Sequence, residues 1–279
     1  MAIAGLPGHA EGGKGGLSGT LLYSRLTNGT WQVWRKEFST QQAEQLTFSA
    51  VDKRYPTRTP DGRIVFHTSN QASYIVEPGT SESAPLLETL WPMRDLVWSP
   101  DGARMAFSKI RTDLVDSANL WVADAKDRER VMLTQESGMQ YQPAWSPDGR
   151  QLAYIGGHGY GTYEVYLINA NGTDRRQLTT NHTHEFLPAW SPDGAAIAYS
   201  ADATGDYEIW VISADGTGAR QLTHAPGLDT RPAWSPDGRW IAFATNRTGT
   251  LEIWVMAADG SGQRPLIQAE GGACDPAWR

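Results

Sequence analysis

The chain has 279 residues and a formal net charge of −7, and 40% of its residues are hydrophobic, including 12 Trp. The acidic balance disfavours nucleic-acid binding, which needs clustered Lys and Arg. The single cysteine, Cys274, excludes an intramolecular disulfide. A transmembrane helix needs a run of about 18 apolar residues, and the sequence contains none, so we expect no membrane insertion.

The chain opens on a Gly-rich stretch, residues 1–18, which lacks the apolar core of a signal peptide and is predicted to be a flexible tail. Residues 19–279 are expected to form one domain. Without an export signal, the sequence predicts a cytoplasmic protein. Three short segments follow at 20–24, 31–34 and 44–47, and they match the second, third and fourth strands of the repeat that fills the rest of the chain.

That repeat is marked by the phrase Pro-Ala-Trp-Ser-Pro-Asp-Gly. It occurs at 143–149, 188–194 and 232–238, with a near copy at 96–102, a worn copy at 57–62 and a truncated copy at 276–278. Successive Trp residues of the phrase are 44 to 47 residues apart. This period is typical of one four-stranded propeller blade.

Each repeat divides into four predicted strands. In the copy that begins at 232 they are 232–234, 240–244, 252–256 and 263–267, separated by a Ser-Pro-Asp-Gly turn, an Asn-Arg-Thr-Gly break and an Asp-Gly turn. Aromatic and β-branched residues fill the strands, and no segment has sustained helical periodicity. The sequence therefore predicts an all-β fold.

The two ends of the chain complete each other. The C-terminal strand at 276–278 is a first strand without a blade, and residues 20–47 are a blade without a first strand. Pairing them closes a ring and removes the exposed sheet edges. We expect a six-bladed β-propeller with four antiparallel strands per blade.

The unit P-A-W-S-P-D-G-x-x-I-A-F…E-I-W-V-x-x-A-D-G…R-Q-L-T resembles the repeat of TolB-type β-propellers, over about residues 20–279. The resemblance implies a six-bladed propeller that binds protein partners in the bacterial periplasm as part of a cell-envelope complex. The chain shows neither the α/β domain that precedes the propeller in TolB nor its export signal. We therefore expect a free-standing TolB-like propeller.

A four-stranded meander places the repeated turns on one face and the variable segments on the other, around the mouth of the central channel. The recurring acids are expected to be structural; they are Asp101, Asp148, Asp193, Asp237, Glu164, Glu208 and Glu252. The variable segments just before the first strands carry aromatic and charged residues that suit protein interfaces. The predicted partner-binding residues are Arg54, Tyr55, Arg94, Tyr141, His184, Glu185, Phe186, Asp229, Arg231 and Asp275. For any one of them, a solvated loop rim with compensating charges is the alternative.

The favoured interpretation is a monomeric, non-enzymatic module that binds a protein or peptide segment without a cofactor. The sequence contains no Gly-x-Ser-x-Gly elbow, the motif that would indicate a nucleophilic hydrolase. The rival is a metal-dependent lyase or carbohydrate-active propeller. It would use a divalent metal held by loop histidines of the variable face, namely His158, His182, His184 and His224. Oligogalacturonate lyases have a similar repeat and a His-bound metal, although with seven blades. A third alternative is the sensor module of a larger protein.

Overall fold

The computed structural model describes residues 16–68, 72–77, 80, 83–86, 93–110, 117–126, 128–157, 162–181 and 183–279. Throughout these ranges the regular secondary structure is β, and they contain no helix. A membrane-spanning helix is accordingly absent from the described part of the chain.

The strands follow one another in groups of three to four short segments per repeat. The first half contains β1 Thr20–Thr27, β2 Thr30–Glu37, β3 Ala43–Gln45, β4 Lys53–Arg58, β5 Ile64–Thr68, β6 Ser73–Val76, β7 Ser83–Pro85, β8 Met93–Trp98, β9 Arg104–Ile110, β10 Ala118–Asp124, β11 Arg130–Met132 and β12 Met139–Trp145. The second half contains β13 Gln151–Gly157, β14 Glu164–Asn169, β15 Arg176–Gln177, β16 Glu185–Trp190, β17 Ala196–Ala201, β18 Glu208–Ser213, β19 Arg220–Gln221, β20 Asp229–Trp234, β21 Trp240–Thr245, β22 Glu252–Ala257, β23 Arg264–Ile267 and β24 Ala273–Trp278.

These strands form a propeller of antiparallel meanders, as predicted, but the sheets do not separate into six. Four sheets have four strands each, in the orders β24-β1-β2-β3, β4-β5-β6-β7, β16-β17-β18-β19 and β20-β21-β22-β23. The remaining eight strands form one sheet. Within it, the meanders β8–β11 and β12–β15 are joined by a single parallel pair, Ala118 with Met139. The hydrogen bonding thus gives four separate sheets and one double sheet.

The C-terminal strand closes the ring. β24 pairs antiparallel with β1, placing Leu21 opposite Trp278, and the Thr20 N–H donates to the Arg279 carbonyl at 2.6 Å. The Trp278 indole donates to the Ser18 carbonyl at 2.8 Å, and Leu17 packs against the same core. Leu17 and Ser18, at the end of the predicted tail, therefore contact the domain. Residues 1–15 lie outside the described ranges, and the tail stays a prediction there.

Apolar cores fill the spaces between neighbouring sheets, and the Trp of the repeated phrase ties each sheet to the one before it. The indoles of Trp145, Trp190 and Trp234 donate to backbone carbonyls of the preceding inner strand at 3.1 to 3.2 Å. In the adjoining turn, Ser235 donates to Asp237 at 2.6 Å, a bond repeated in three other copies. The structural role predicted for these aspartates is confirmed.

The inner strands are longer than predicted. The sequence placed the first strand of the 232 repeat at 232–234, whereas β20 begins at Asp229. A β-bulge explains the difference, since the ladder shifts register between Thr230 and Ala233 and then continues. Each of the six inner strands, β4, β8, β12, β16, β20 and β24, has the same shift. The predicted site residues of these segments consequently lie in strands rather than in loops.

Candidate functional site at the channel mouth

Six bulge residues recur at one position of the six inner strands, at the face where the sequence predicts the mouth of the channel, and we call them the bulge ring. They are Tyr55, Asp95, Gln142, Leu187, Arg231 and Asp275, each with φ between 52° and 58°. All except Asp95 precede a proline. A positive φ is unfavourable for residues with a side chain, and such strain persists only where the surrounding structure enforces it. Bulges re-aim side chains next to functional sites, so the ring is a repeated backbone feature that carries a different side chain in each repeat.

Side chains of the ring hold the backbone of the next ring member. Asp275 accepts from the Tyr55 N–H at 3.2 Å, Asp95 from the Gln142 N–H at 3.3 Å, and Gln142 from the Leu187 N–H at 2.8 Å. Each bond joins one inner strand to the next around the ring. The mouth is therefore fixed before any ligand arrives, which lowers the ordering cost of binding.

One side of the mouth carries two arginines on a shared aspartate, and we call Arg54, Tyr55, Arg231 and Asp275 the cationic corner. Asp275 lies 2.6 Å from Arg54 Nε and 2.8 Å from Arg231 Nε. Its side chain is only 1% exposed, whereas those of Arg54 and Arg231 are 25% and 21% exposed. Burial by itself would raise the pKa of Asp275, but the charges of Arg231 and Arg54 hold that pKa below its ordinary value. The corner carries a net positive charge.

Aromatic rings hold the two guanidinium groups in place. Arg54 lies over the Trp31 ring at 4.6 Å and Arg231 over the Tyr55 ring at 5.2 Å. Arg231 also donates to the Tyr55 hydroxyl at 3.1 Å. Tyr55 remains 46% exposed. Cation–π contacts and hydrogen bonds thus fix the arginines while leaving part of each accessible.

The opposite side of the mouth is an aromatic wall, formed by Tyr141, Tyr163, His184, Phe186 and Tyr207. Neighbouring rings in it are 5.6 to 6.3 Å apart, centroid to centroid. All five side chains are partly buried. Such rings offer a large apolar contact surface at little conformational cost.

Like Asp275, two further predicted contact residues are buried. Glu185 is fully buried and accepts from the Val165 N–H at 2.8 Å and from Asn181 at 3.0 Å. Asp229 is 1% exposed and pairs with Arg247. They stand two residues before the bulge, where the strand directs side chains into the junction between sheets. The expectation that they line the accessible mouth is wrong, and the reason is this alternation.

These two acids face a second buried acid, an arrangement that the sequence reasoning missed. Burial raises the pKa of Glu185 to about 7, the Thr179 hydrogen bond opposes this, and the charge of Glu164 adds to it. Burial likewise raises the pKa of Glu208 to about 7, with Asp229 contributing. The signal was available: Glu164 and Glu208 are each followed 21 residues later by an acid, whereas Glu252 is followed by Ala273.

The sequence reasoning also missed three aromatics of the mouth. Trp31, Tyr163 and Tyr207 occupy the same repeat position, immediately before the third strand or at its start. The Tyr-Glu dipeptide at 163–164 recurs at 207–208, but only its Glu was singled out from the sequence, as a recurring acid predicted to be structural. Only an alignment of the position across all repeats distinguishes the aromatic copies from Leu251 and Ala118.

The remaining predicted residues are Arg94 and the loop histidines. Arg94 is partly buried, and its Nε has no hydrogen-bond partner among the described residues. His184 Nδ1 lies 2.9 Å from Asp202, and His224 is exposed. His158 and His182 lie outside the described residues. Within those described, no three His, Cys, Asp or Glu side chains gather as metal ligands, and the metal site stays a prediction.

Comparisons with known proteins agree with this architecture. Residues 159–279 match the family model of the TolB beta propeller domain, so the resemblance seen in the sequence is confirmed. The chain is similar to the crystal structure of TolB from Acinetobacter baumannii, with a TM-score of 0.81 and 22% identity, covering 95% of this chain and 67% of that one.

Enzymes share the same fold. An oligogalacturonate lyase in complex with manganese is similar with a TM-score of 0.64 and 19% identity, over 90% of this chain and 74% of the lyase. An uncharacterised peptidase, YuxL of Bacillus subtilis, is 30% identical over 81 residues, which are 28% of this chain. The matched segment spans only 12% of that peptidase. The fold is thus common to TolB and to enzymes.

Proposed function

Because residues 159–279 match the family model of the TolB beta propeller domain, we propose that the chain is a non-enzymatic binding propeller that captures a peptide or protein segment at the channel mouth. The double sheet counts as two blades in this proposal, which gives six around the channel. The resemblance to TolB, whose propeller binds protein partners, supports this choice over an enzyme. The chain acts as a monomer in this proposal and needs no cofactor.

The bulge ring is the observation that carries the proposal. Six strained, non-glycine residues recur at one position, yet their side chains differ from repeat to repeat. A position whose backbone is repeated and whose side chains vary is suited to recognising an asymmetric ligand. The cationic corner and the aromatic wall supply the Arg and aromatic anchors that dominate protein interfaces.

The proposal is tested by capture from native lysate, with bound proteins identified by mass spectrometry. Tyr55→Ala and Phe186→Ala remove one side chain from each side of the mouth, and each is expected to reduce capture of the same protein at least tenfold. Arg239→Ala is the matched control, since Arg239 pairs with Asp237 in a turn of the opposite face. Capture that both mouth variants retain would refute the assignment.

A metal-dependent lyase remains the rival on one specific observation, the His184–Asp202 pair beside the aromatic wall. A carboxylate that orients an imidazole is a common arrangement around metal ligands. Stoichiometric zinc, manganese or nickel that is lost in His184→Ala would favour the lyase. We also propose a periplasmic location, because the resemblance to TolB favours that compartment. The sequence alone predicted the cytoplasm instead. A sensor module of a larger protein would use the same mouth.

A further inference from the structure

The cationic corner has unused binding capacity. Arg54 donates to Asp275 through Nε and Nη2, and Arg231 contacts Asp275 through Nε and Tyr55 through Nη2. Across the described residues, the Nη1 group of each arginine has no hydrogen-bond acceptor. Two guanidinium groups share one carboxylate, so one positive charge is left without a partner in a protein whose net charge is −7.

The shared carboxylate cannot serve a ligand itself. Asp275 is 1% exposed on its side chain, accepts hydrogen bonds from Arg54 and the Tyr55 N–H, and forms an ion pair with Arg231. Its role is to position the two guanidinium groups side by side. Their accessible edges then face the mouth from β4 and β20, with β24 between them.

Arginine recognises planar anions in particular. The guanidinium group presents parallel N–H donors that match both oxygens of a carboxylate, and it is weakly hydrated, so its partial burial costs little. The Tyr55 ring beside Arg231 and the Trp31 ring beneath Arg54 exclude water from one side of each group. A ligand anion placed there would form charge-assisted hydrogen bonds in a partly desolvated setting.

Across the mouth lies the aromatic wall. The corner is built from β4, β20 and β24, and the wall from β12, β16 and the strand starts beside β14 and β18. Successive inner strands contact one another in the order β8, β12, β16, β20, β24, β4. This order puts the wall on the far side of the ring from Arg54 and Tyr55. The mouth is therefore polarised, with a cationic side and an apolar side.

We propose that the captured segment presents a carboxylate to Arg54 and Arg231 while an apolar side chain of the same segment packs on the aromatic wall. The carboxylate is either the C-terminus of the segment or an Asp or Glu side chain. This inference rests on the proposed capture of a peptide segment and adds the chemistry by which the segment is chosen.

The test uses random decapeptide pools on the intact wild-type protein. One pool has a free C-terminus and no Asp or Glu, a second is amidated and includes Asp and Glu, and a third is amidated without acids. Bound peptides are recovered and sequenced, and the best are measured individually by calorimetry. We expect the first or the second pool to bind at least tenfold more tightly than the third, together with enrichment of aromatic and large apolar residues.

The pools separate the two sources of the carboxylate. Preference for the first pool identifies a C-terminus, and preference for the second identifies an acidic side chain. Equal binding of the third pool overturns the carboxylate inference and leaves segment capture intact. Failure of all three pools to bind overturns the capture of segments and the inference with it.

A variant locates the contact. Arg231→Gln keeps the size and part of the hydrogen bonding of the side chain and leaves Arg54 to neutralise Asp275. It is expected to weaken the preferred peptide at least tenfold and the acid-free peptides less than twofold. Arg239→Gln is the control on the opposite face, where no change is expected. Since the pool comparison is made on wild type, the inference stays testable if Arg231→Gln does not fold.

Discussion

Asp275 shows how much of the mouth depends on one buried side chain. It forms ion pairs with both Arg54 and Arg231 and accepts a hydrogen bond from the Tyr55 N–H, so a single carboxylate joins three inner strands. The sequence predicted the position of Asp275 at the mouth, but it could not predict that Asp275 is buried, because its two partners lie 221 and 44 residues away along the chain. Pairing across such distances is a property of ring closure.

Asp275→Asn is expected to destabilise the fold by about 3–5 kcal/mol, because it leaves two partly buried guanidinium groups without their counter-charge. Chemical denaturation followed by Trp fluorescence measures the loss. Asp259→Asn, in an exposed turn of the opposite face, is the control and is expected to cost less than about 1 kcal/mol. Equal losses in the two variants would contradict the buried ion network.

Glu185 is expected to make stability depend on pH. The group ionises near 4.5 in the unfolded chain and near 7 in the fold, because burial raises its pKa. The folded state therefore binds the extra proton between these values, and the contribution of Glu185 to stability falls by up to about 3 kcal/mol as pH rises through this window. Melting temperatures from pH 5 to pH 8 measure the effect.

Glu185→Gln is the reference for that experiment, since a neutral amide of the same size cannot titrate. The difference between wild type and Glu185→Gln should shrink as the pH falls. The comparison also cancels His67, whose pKa is lowered by burial and whose effect on stability has the opposite sign below its ordinary pKa. A difference that is constant from pH 5 to pH 8 would show that Glu185 does not hold its proton.

At the scale of elements, the strands that carry the β-bulges were predicted from the sequence, but the bulges themselves were not. The repeated Pro-Ala-Trp predicted the strands and their turns, and these are confirmed. The strand starts were placed three residues late, because proline reads as a strand boundary when no bulge is considered. The positive φ of the residue before the proline is imposed by pairing with the neighbouring strand, so the sequence of the inner strand alone does not predict it.

Leu187 provides a test of that backbone strain. Its φ of 56° is unfavourable for β-branched residues and tolerated by Asn. Leu187→Val is expected to be less stable than Leu187→Asn by about 1–2 kcal/mol, although Val is the more apolar of the two. Thermal unfolding of both variants gives the comparison. A more stable Val variant would mean that apolar packing at Leu187 outweighs backbone strain.

At the scale of the whole molecule, closure of the ring is the feature that was predicted most completely. The match between residues 20–47 and a repeat without its first strand predicted the pairing of β1 with β24 from the chain ends alone. The separation of the sheets was predicted less well, because one bridge between β10 and β12 merges two meanders. The pairing of Ala118 with Met139 at the strand ends produces no periodic pattern in the sequence, so it could not be predicted.

Deleting residues 273–279 is expected to abolish the folded monomer, because β1 loses its partner and exposes an open edge. Size-exclusion chromatography should show aggregates. The matched control is a circular permutant that links Arg279 to Leu17 and opens the exposed connection at His224. It keeps every strand and is expected to melt within about 5 °C of wild type. A stable monomer after the deletion would show that closure is dispensable.

Ring closure also means that β1 stays without its partner strand until β24 has been synthesised. The ribosome delivers β24 roughly 250 residues after its partner β1, which takes about 10–50 s at ordinary elongation rates. Through that interval the edge of β1 is open to pairing with other chains. The nascent propeller is therefore exposed to aggregation until its last strand leaves the ribosome.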